Sequence, residues 1–174
     1  TGPLDITFDI HPDAEIGASL PALNAWAARL SYALSRGSAV AEVAWLYPEW
    51  RAENFPSFGV EPGANEAQIS ASLRRAGFSY DRVSRGALST SSSANGILTV
   101  GEASFEALLI EDVHAADPEM LAAIEQAVAA GVPVVWIGEL PSRAIGLADA
   151  EVRDADVNAR IESLRGAVTF VGSA

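Results

Sequence analysis

Asp117-Pro-Glu-Met-Leu-Ala-Ala-Ile-Glu-Gln-Ala-Val-Ala-Ala-Gly-Val-Pro-Val-Val-Trp-Ile137 reads as a helix, a stop and a strand in immediate succession. Asp117 supplies an N-cap acid and Pro118 takes the first helical position, where its missing N–H costs nothing. Leu121, Ile124 and Val128 recur at helical spacing and make one apolar stripe, which Gly131 terminates. Val132 to Ile137 is then almost uninterrupted in apolarity, as a strand covered on both faces should be. Phe105 to Ile110, on the other side of the helix, has the same character. Strand, helix and strand in this order imply a right-handed crossover between parallel neighbours.

The pattern repeats outward in both directions. Upstream, Val40 to Tyr47 is the first strand, preceded by a helix over about Leu20 to Arg36 that carries Leu23, Ala27, Leu30 and Leu34 and stops at Gly37. A second helix is signalled by Asn65 as N-cap, Gln68 three residues on, the apolar positions Ile69, Leu73 and Ala76, and Gly77 beyond. Tyr80 to Ser84 is a short second strand. Ser89 to Gly96 reads as a polar connection, and Ile97 to Val100, the Gly101-Glu102 turn and Phe105 to Ile110 as a small hairpin leading into the third core strand. Downstream, Val157, Ile161 and Leu164 mark a last helix, stopped at Gly166, before a fifth strand over Ala167 to Val171. The fold class expected is α/β: a flavodoxin-like three-layer sandwich on a mainly parallel five-stranded sheet of order 2-1-3-4-5, plus the small hairpin. Residues 1–18 read as an extended lead-in and 19–174 as one domain, without internal repeats.

Composition removes several chemistries. The 174 residues contain no Cys, and all 11 basic side chains are Arg, so a Schiff-base or P-loop Lys and a Cys nucleophile are impossible. At this length one core suffices without disulfide or metal. A formal charge of −12 opposes binding to nucleic acid or an anionic membrane, and no apolar run of about 18 residues is present. Neither partner is expected. The first residue is Thr1, which suggests a piece processed or cut from a longer polypeptide; the compartment is open, with a periplasmic or secreted parent as one reading.

Ligands of open doubly wound sheets collect outside the carboxyl ends of the strands. Those ends offer Glu49 and Trp50 after the first strand, Glu111, Asp112 and His114 after the third, and Glu139 after the fourth. Converging acids there could hold a ligand or serve as general acid and base, while the plainer alternative is that they cap helices and meet solvent. No metal is expected, since His11 and His114 are far apart and neither has a partner at ligand spacing; no cofactor is expected either. The connection from Pro48 to Gly63 exceeds the usual ~2–6 residues and carries Trp50, Arg51, Phe55 and Phe58. These side chains suit the domain's own core, a neighbouring domain or the face of a sugar.

Several segments also resemble a known family. Ala28-Ala-Arg-Leu-Ser-Tyr-Ala-Leu-Ser-Arg-Gly37 with Val40-Ala-Glu-Val-Ala-Trp-Leu-Tyr47 resembles the helix and strand that follow the catalytic barrel in α-L-rhamnosidases of glycoside hydrolase family 106. Tyr80-Asp-Arg-Val-Ser-Arg-Gly-Ala-Leu88, Gly96-Ile-Leu-Thr-Val100, Phe105-Glu-Ala-Leu-Leu-Ile110, Ala130-Gly-Val-Pro-Val-Val135 and Leu140-Pro-Ser-Arg-Ala-Ile-Gly-Leu147 are similar to that family's later elements. The resemblance implies a class I glutamine-amidotransferase-like domain used as an accessory module, as in the trimerisation domain of family 42 β-galactosidases. Amidotransferases carry a Cys nucleophile and this chain has none, so that activity is not implied; the rhamnosidase carboxylates belong to the barrel, so no catalytic residue carries over.

The expectation is therefore a noncatalytic accessory domain of a larger glycoside hydrolase, whose partner is the catalytic domain of the parent polypeptide. The alternative is a small module binding carbohydrate or another polar ligand. A stand-alone acid/base hydrolase using Glu49, Glu111, Asp112 or His114 ranks third, because no Ser sits in a G-x-S-x-G turn. Self-association is compatible with the first two.

Overall fold

The computed structural model describes residues 17–37, 40–46, 64–111 and 113–172. By its internal contacts the chain divides into two units, Thr1–Ser38 and Ala39–Ala174. In the first, a 3-10 turn at Gly17–Ser19 leads into helix α1 (Leu20–Leu34), with Pro21 in its opening turn. The Arg36 guanidinium closes this helix by stacking 4.4 Å over the Tyr32 ring and donating to the Tyr32 hydroxyl.

The second unit contains β1 (Val43–Leu46), α2 (Ala64–Arg75), β2 (Tyr80–Val83), α3 (Arg85–Ser89), β3 (Ser92–Ala94), β4 (Ile97–Val100), β5 (Ala103–Phe105), β6 (Ala107–Glu111), α4 (Pro118–Ala129), β7 (Val134–Ile137), α5 (Ala150–Leu164) and β8 (Thr169–Val171). Five of the strands form a parallel sheet in the order β2-β1-β6-β7-β8. Counting only these five, this is the flavodoxin-like order 2-1-3-4-5.

Strand order and apolar alternation together explain the layers. β2 lies on one side of β1 and β6, β7 and β8 on the other, so crossovers of one hand deliver α2 to one face and α4 and α5 to the opposite face. Successive side chains alternate between those faces. Val43, Trp45 and Leu109 accordingly pack under Ile69 and Leu73 of α2. Ala44, Leu46, Leu108, Ile110, Val134 and Trp136 meet Leu121 and Ile124 of α4 and Val157, Ile161 and Leu164 of α5 in the larger core. Each fully buried Leu or Ile there stabilises the fold by about 1.5–3 kcal/mol. On the α2 side the edge-to-face pair Trp45–Tyr80, at 5.1 Å, is fastened by the Tyr80 hydroxyl donating to buried Ser70 Oγ at 2.9 Å.

The connection from β2 to β6 departs from the sequence reading. In place of a polar link and a hairpin running into the third core strand, it forms the five-residue helix α3, capped by Ser84, and a separate antiparallel sheet of three strands, β3-β4-β5. The hairpin is β4–β5, and the core strand β6 begins anew after Glu106, where the amides of Glu106 and Ala107 both donate to the Glu42 carbonyl. Ser92-Ser-Ala94 escaped notice because it is short and polar. Its strand form is imposed by the Asn95-Gly96 turn, whose φ values of 52° and 79° fit a two-residue hairpin loop. Leu98 and Phe105 of this sheet join the larger core.

Glu42 clamps the amino edge of the main sheet. Its carboxylate accepts from both the hydroxyl and the backbone amide of Ser79, immediately before β2, and these bonds hold its pKa below the ordinary glutamate value. A carboxyl with a depressed folded-state pKa adds stability that is present above its unfolded pKa and is lost as pH falls through the folded value. Ser79→Ala removes the largest cause of the depression. In a carboxyl-detected NMR titration the Glu42 midpoint is therefore expected to move up toward that of an exposed glutamate; an unmoved midpoint would refute the clamp.

Three of the four glycine stops take the left-handed form: Gly37, Gly77 and Gly131 have φ between 84° and 89°, whereas Gly166 is not among the positive-φ glycines and α5 ends at Leu164 with Arg165 as its C-cap. At Gly131 an added Cβ meets only ordinary van der Waals distance, 4.0 Å to the Gly96 α-carbon, so the penalty is conformational. Gly131→Ala is expected to lower stability by about 1 kcal/mol. A urea titration checks this, with an unchanged m-value and a lowered midpoint.

Candidate functional site

The carboxyl ends of the parallel strands are Leu46, Val83, Glu111, Ile137 and Val171, and the segments leaving them define the candidate edge. Of the residues singled out from sequence, Glu49, Trp50, Arg51, Phe55, Phe58 and Asp112 lie outside the described residues. Glu111, His114 and Glu139 are described. Glu111 ends β6 and is the only charged side chain buried among the described residues, at 5% exposure. His114 Nδ1 stands 3.8 Å from Glu139 Oε2, both groups at the surface. That separation exceeds a hydrogen bond, and an exposed pair of this kind contributes at most about 1 kcal/mol.

The tightest cluster at this edge was not singled out as a site. Asp117 takes the N-cap position of α4 with extended backbone, yet its side chain makes no cap hydrogen bond. Instead Oδ2 lies 2.7 Å from Arg85 Nη1 and Oδ1 accepts from Arg153 Nη2 at 3.4 Å. Arg85 opens α3, directly after β2, and Arg153 lies in the first turn of α5. One carboxylate thus joins the starts of three helices. Arg85 was findable, since Ser84-Arg85 follows a strand end as plainly as Glu139 does. Arg153 was not, because nothing local distinguishes it from the other helical arginines.

The loop from Gly138 to Asp149 is fixed to the same cluster. Its Ala144 bridges to Ala116, with the Ala116 amide donating to the Arg143 carbonyl and the Ile145 amide to the Ala116 carbonyl. Asp154 of α5 accepts from the Ala144 amide at 2.6 Å, and Asn158 donates to the Ser142 carbonyl. The buried Trp136 indole holds the start of the loop by donating to the Glu139 carbonyl at 3.2 Å. Gly146, at φ 95°, admits Arg153: a Cβ there would stand 3.4 Å from its Nη1. Asp117, Arg85, Arg153, Asp154, Asn158 and Trp136 therefore hold segments of this edge to one another. No group of three His, Asp or Glu able to hold a metal occurs among the described residues.

Compared with protein-family models, with curated proteins and with solved structures, the chain matches none.

Proposed function

We propose that this chain is a noncatalytic accessory domain of a larger glycoside hydrolase of the α-L-rhamnosidase type, with an amidotransferase-like sandwich that packs on the parent's catalytic domain. The observation that carries the reading is the use of charge at the carboxyl edge. There Asp117, Arg85 and Arg153 are drawn together by 2.7 and 3.4 Å contacts that tie α3, α4 and α5, and Asp154 is bonded to the 138–149 loop. Groups so engaged hold elements in place, and the sequence supplies neither a Cys nor a Lys to act as nucleophile. The segment resemblance to family 106 supplies the kind of parent.

The test has two parts. The chain alone should be inert on aryl α-L-rhamnosides, and the full-length gene product should carry a barrel of several hundred residues and hydrolyse them. Enzyme-like turnover by the chain alone, or a full-length product without a glycosidase domain, rejects the proposal. A second reading, a module for a sugar or another small polar ligand, is favoured by the exposed His114 and Glu139 at the strand ends. Titration against a glycan panel, followed by Trp fluorescence and calorimetry, distinguishes it; absence of any response at millimolar sugar counts against it.

A further inference from the structure

We infer that Asn95-Gly96 is a latent self-modification site: an asparagine deamidation centre held inactive by the end of α4 and released when the β3–β4 hairpin opens. It is the only Asn-Gly pair in the chain. Glycine after asparagine leaves the following amide nitrogen unhindered, which is the chemical requirement for ring closure. That nitrogen can attack Cγ of Asn95, forming an N–Cγ bond as the Cγ–Nδ2 bond breaks; the amide proton leaves with the side-chain nitrogen as ammonia. Water then opens the succinimide at either carbonyl, to give aspartate or isoaspartate, with no oxidant or reductant involved.

The fold opposes the first step at the reacting atom. Asn95 is exposed at the tip of the turn, but the Gly96 N–H donates to the Ala130 carbonyl at 2.7 Å. The proton that must leave is therefore held, and the nitrogen is aimed at the C-terminus of α4 instead of at the Asn95 side chain. The glycines also fit closely, since a Cβ on Gly96 would stand 3.6 Å from the Gly131 carbonyl oxygen. Protection thus comes from a tertiary contact between segments distant in sequence, and local opening removes it. The isoaspartyl product inserts a methylene into the backbone of a two-residue loop. The Ala94↔Ile97 pairing that the loop sets is then lost, and β3 is released from α4.

The experiment ages the whole chain at mildly alkaline pH, folded in buffer and unfolded in urea, and follows Asn95 by peptide mapping for the one-dalton gain. Methyl transfer by a protein-isoaspartate methyltransferase counts the isoaspartyl form independently. In urea Asn95 is expected to react faster than Asn24, Asn54, Asn65 and Asn158, none of which precedes glycine. In the folded chain its rate is expected to fall by about tenfold or more, equivalent to ~1.4 kcal/mol of protection. Gly131→Ala, which loosens the α4 terminus, should raise the folded rate about fivefold and leave the rate in urea unchanged. Equal rates in the folded and unfolded chain overturn the inference. An unchanged folded rate in Gly131→Ala overturns the part assigned to α4.

Discussion

Trp136→Ala is expected to lower the unfolding free energy by about 3–5 kcal/mol, the range for truncating a buried aromatic. Trp136 is fully buried on β7, between Ile110 of β6 and Phe170 of β8, and reaches into the core formed with α4 and α5. Alanine leaves a cavity where neighbours on a parallel sheet cannot collapse without shifting strands. It also strips the Glu139 carbonyl of its indole donor, so the first residues of the 138–149 loop lose their anchor. At this chain length the expected Tm drop is roughly 10 °C. Trp136→Phe keeps most of the volume and loses the hydrogen bond, so about 1–2 kcal/mol is expected. Urea denaturation measures both; a loss below about 1 kcal/mol in the alanine variant would show that the sheet centre is not packed as described.

Asp117→Ala is expected to cost about 2 kcal/mol, more than an ordinary surface charge, because it leaves two partly buried guanidinium groups without this carboxylate. The cost is smaller than for a fully buried ion pair. Asp117, Arg85 and Arg153 keep 22%, 24% and 32% of their side-chain surface, and solvent screens them accordingly. Double-mutant cycles with Arg85→Ala and Arg153→Ala apportion the loss. Coupling near 1 kcal/mol is expected for the 2.7 Å pair with Arg85 and less for the 3.4 Å contact with Arg153, both shrinking as salt is raised. Zero coupling in both cycles would refute a joining role for Asp117 and remove the observation that supports an accessory function.

The sheet order and the three longer helices of the second unit, α2, α4 and α5, were readable because their signals are local and periodic; the five-residue α3 was not. Leu121, Ile124 and Val128 state a helical stripe within three turns, and Val134 to Ile137 states a buried strand within four residues. Element ends were less exact: β1 starts at Val43 where Val40 was expected, and β7 at Val134 where Val132 was expected. Apolarity extends past the last ladder hydrogen bond, so composition alone overruns a strand. The third strand of the small sheet was missed for the opposite reason, since Ser92, Ser93 and Ala94 carry no apolar pattern and pair only because the turn brings them beside β4.

The edge charges divide in the same way. Reading strand ends placed Glu111, His114 and Glu139 at the carboxyl edge, and they are there. It cast Asp117 only as a helix cap, whereas its carboxylate contacts two arginines supplied by other helices. Capping is a relation within one turn and can be read from neighbours; an ion pair between α3, α4 and α5 depends on where the crossovers deliver the helix starts.

By itself the sequence determined the alternation of the main strands and longer helices, the glycine stops at Gly37, Gly77 and Gly131, and the absence of lysine and cysteine chemistry, because each is a property of a few neighbouring residues or of composition. Only the tertiary structure decided that Asp117 joins Arg85 to Arg153, that Glu42 reaches Ser79, and that Ala130 holds the Gly96 amide. The physical reason is range. Hydrophobic periodicity acts within a helix turn or a strand, whereas these contacts join side chains and amides that come within reach only after the sheet has assembled.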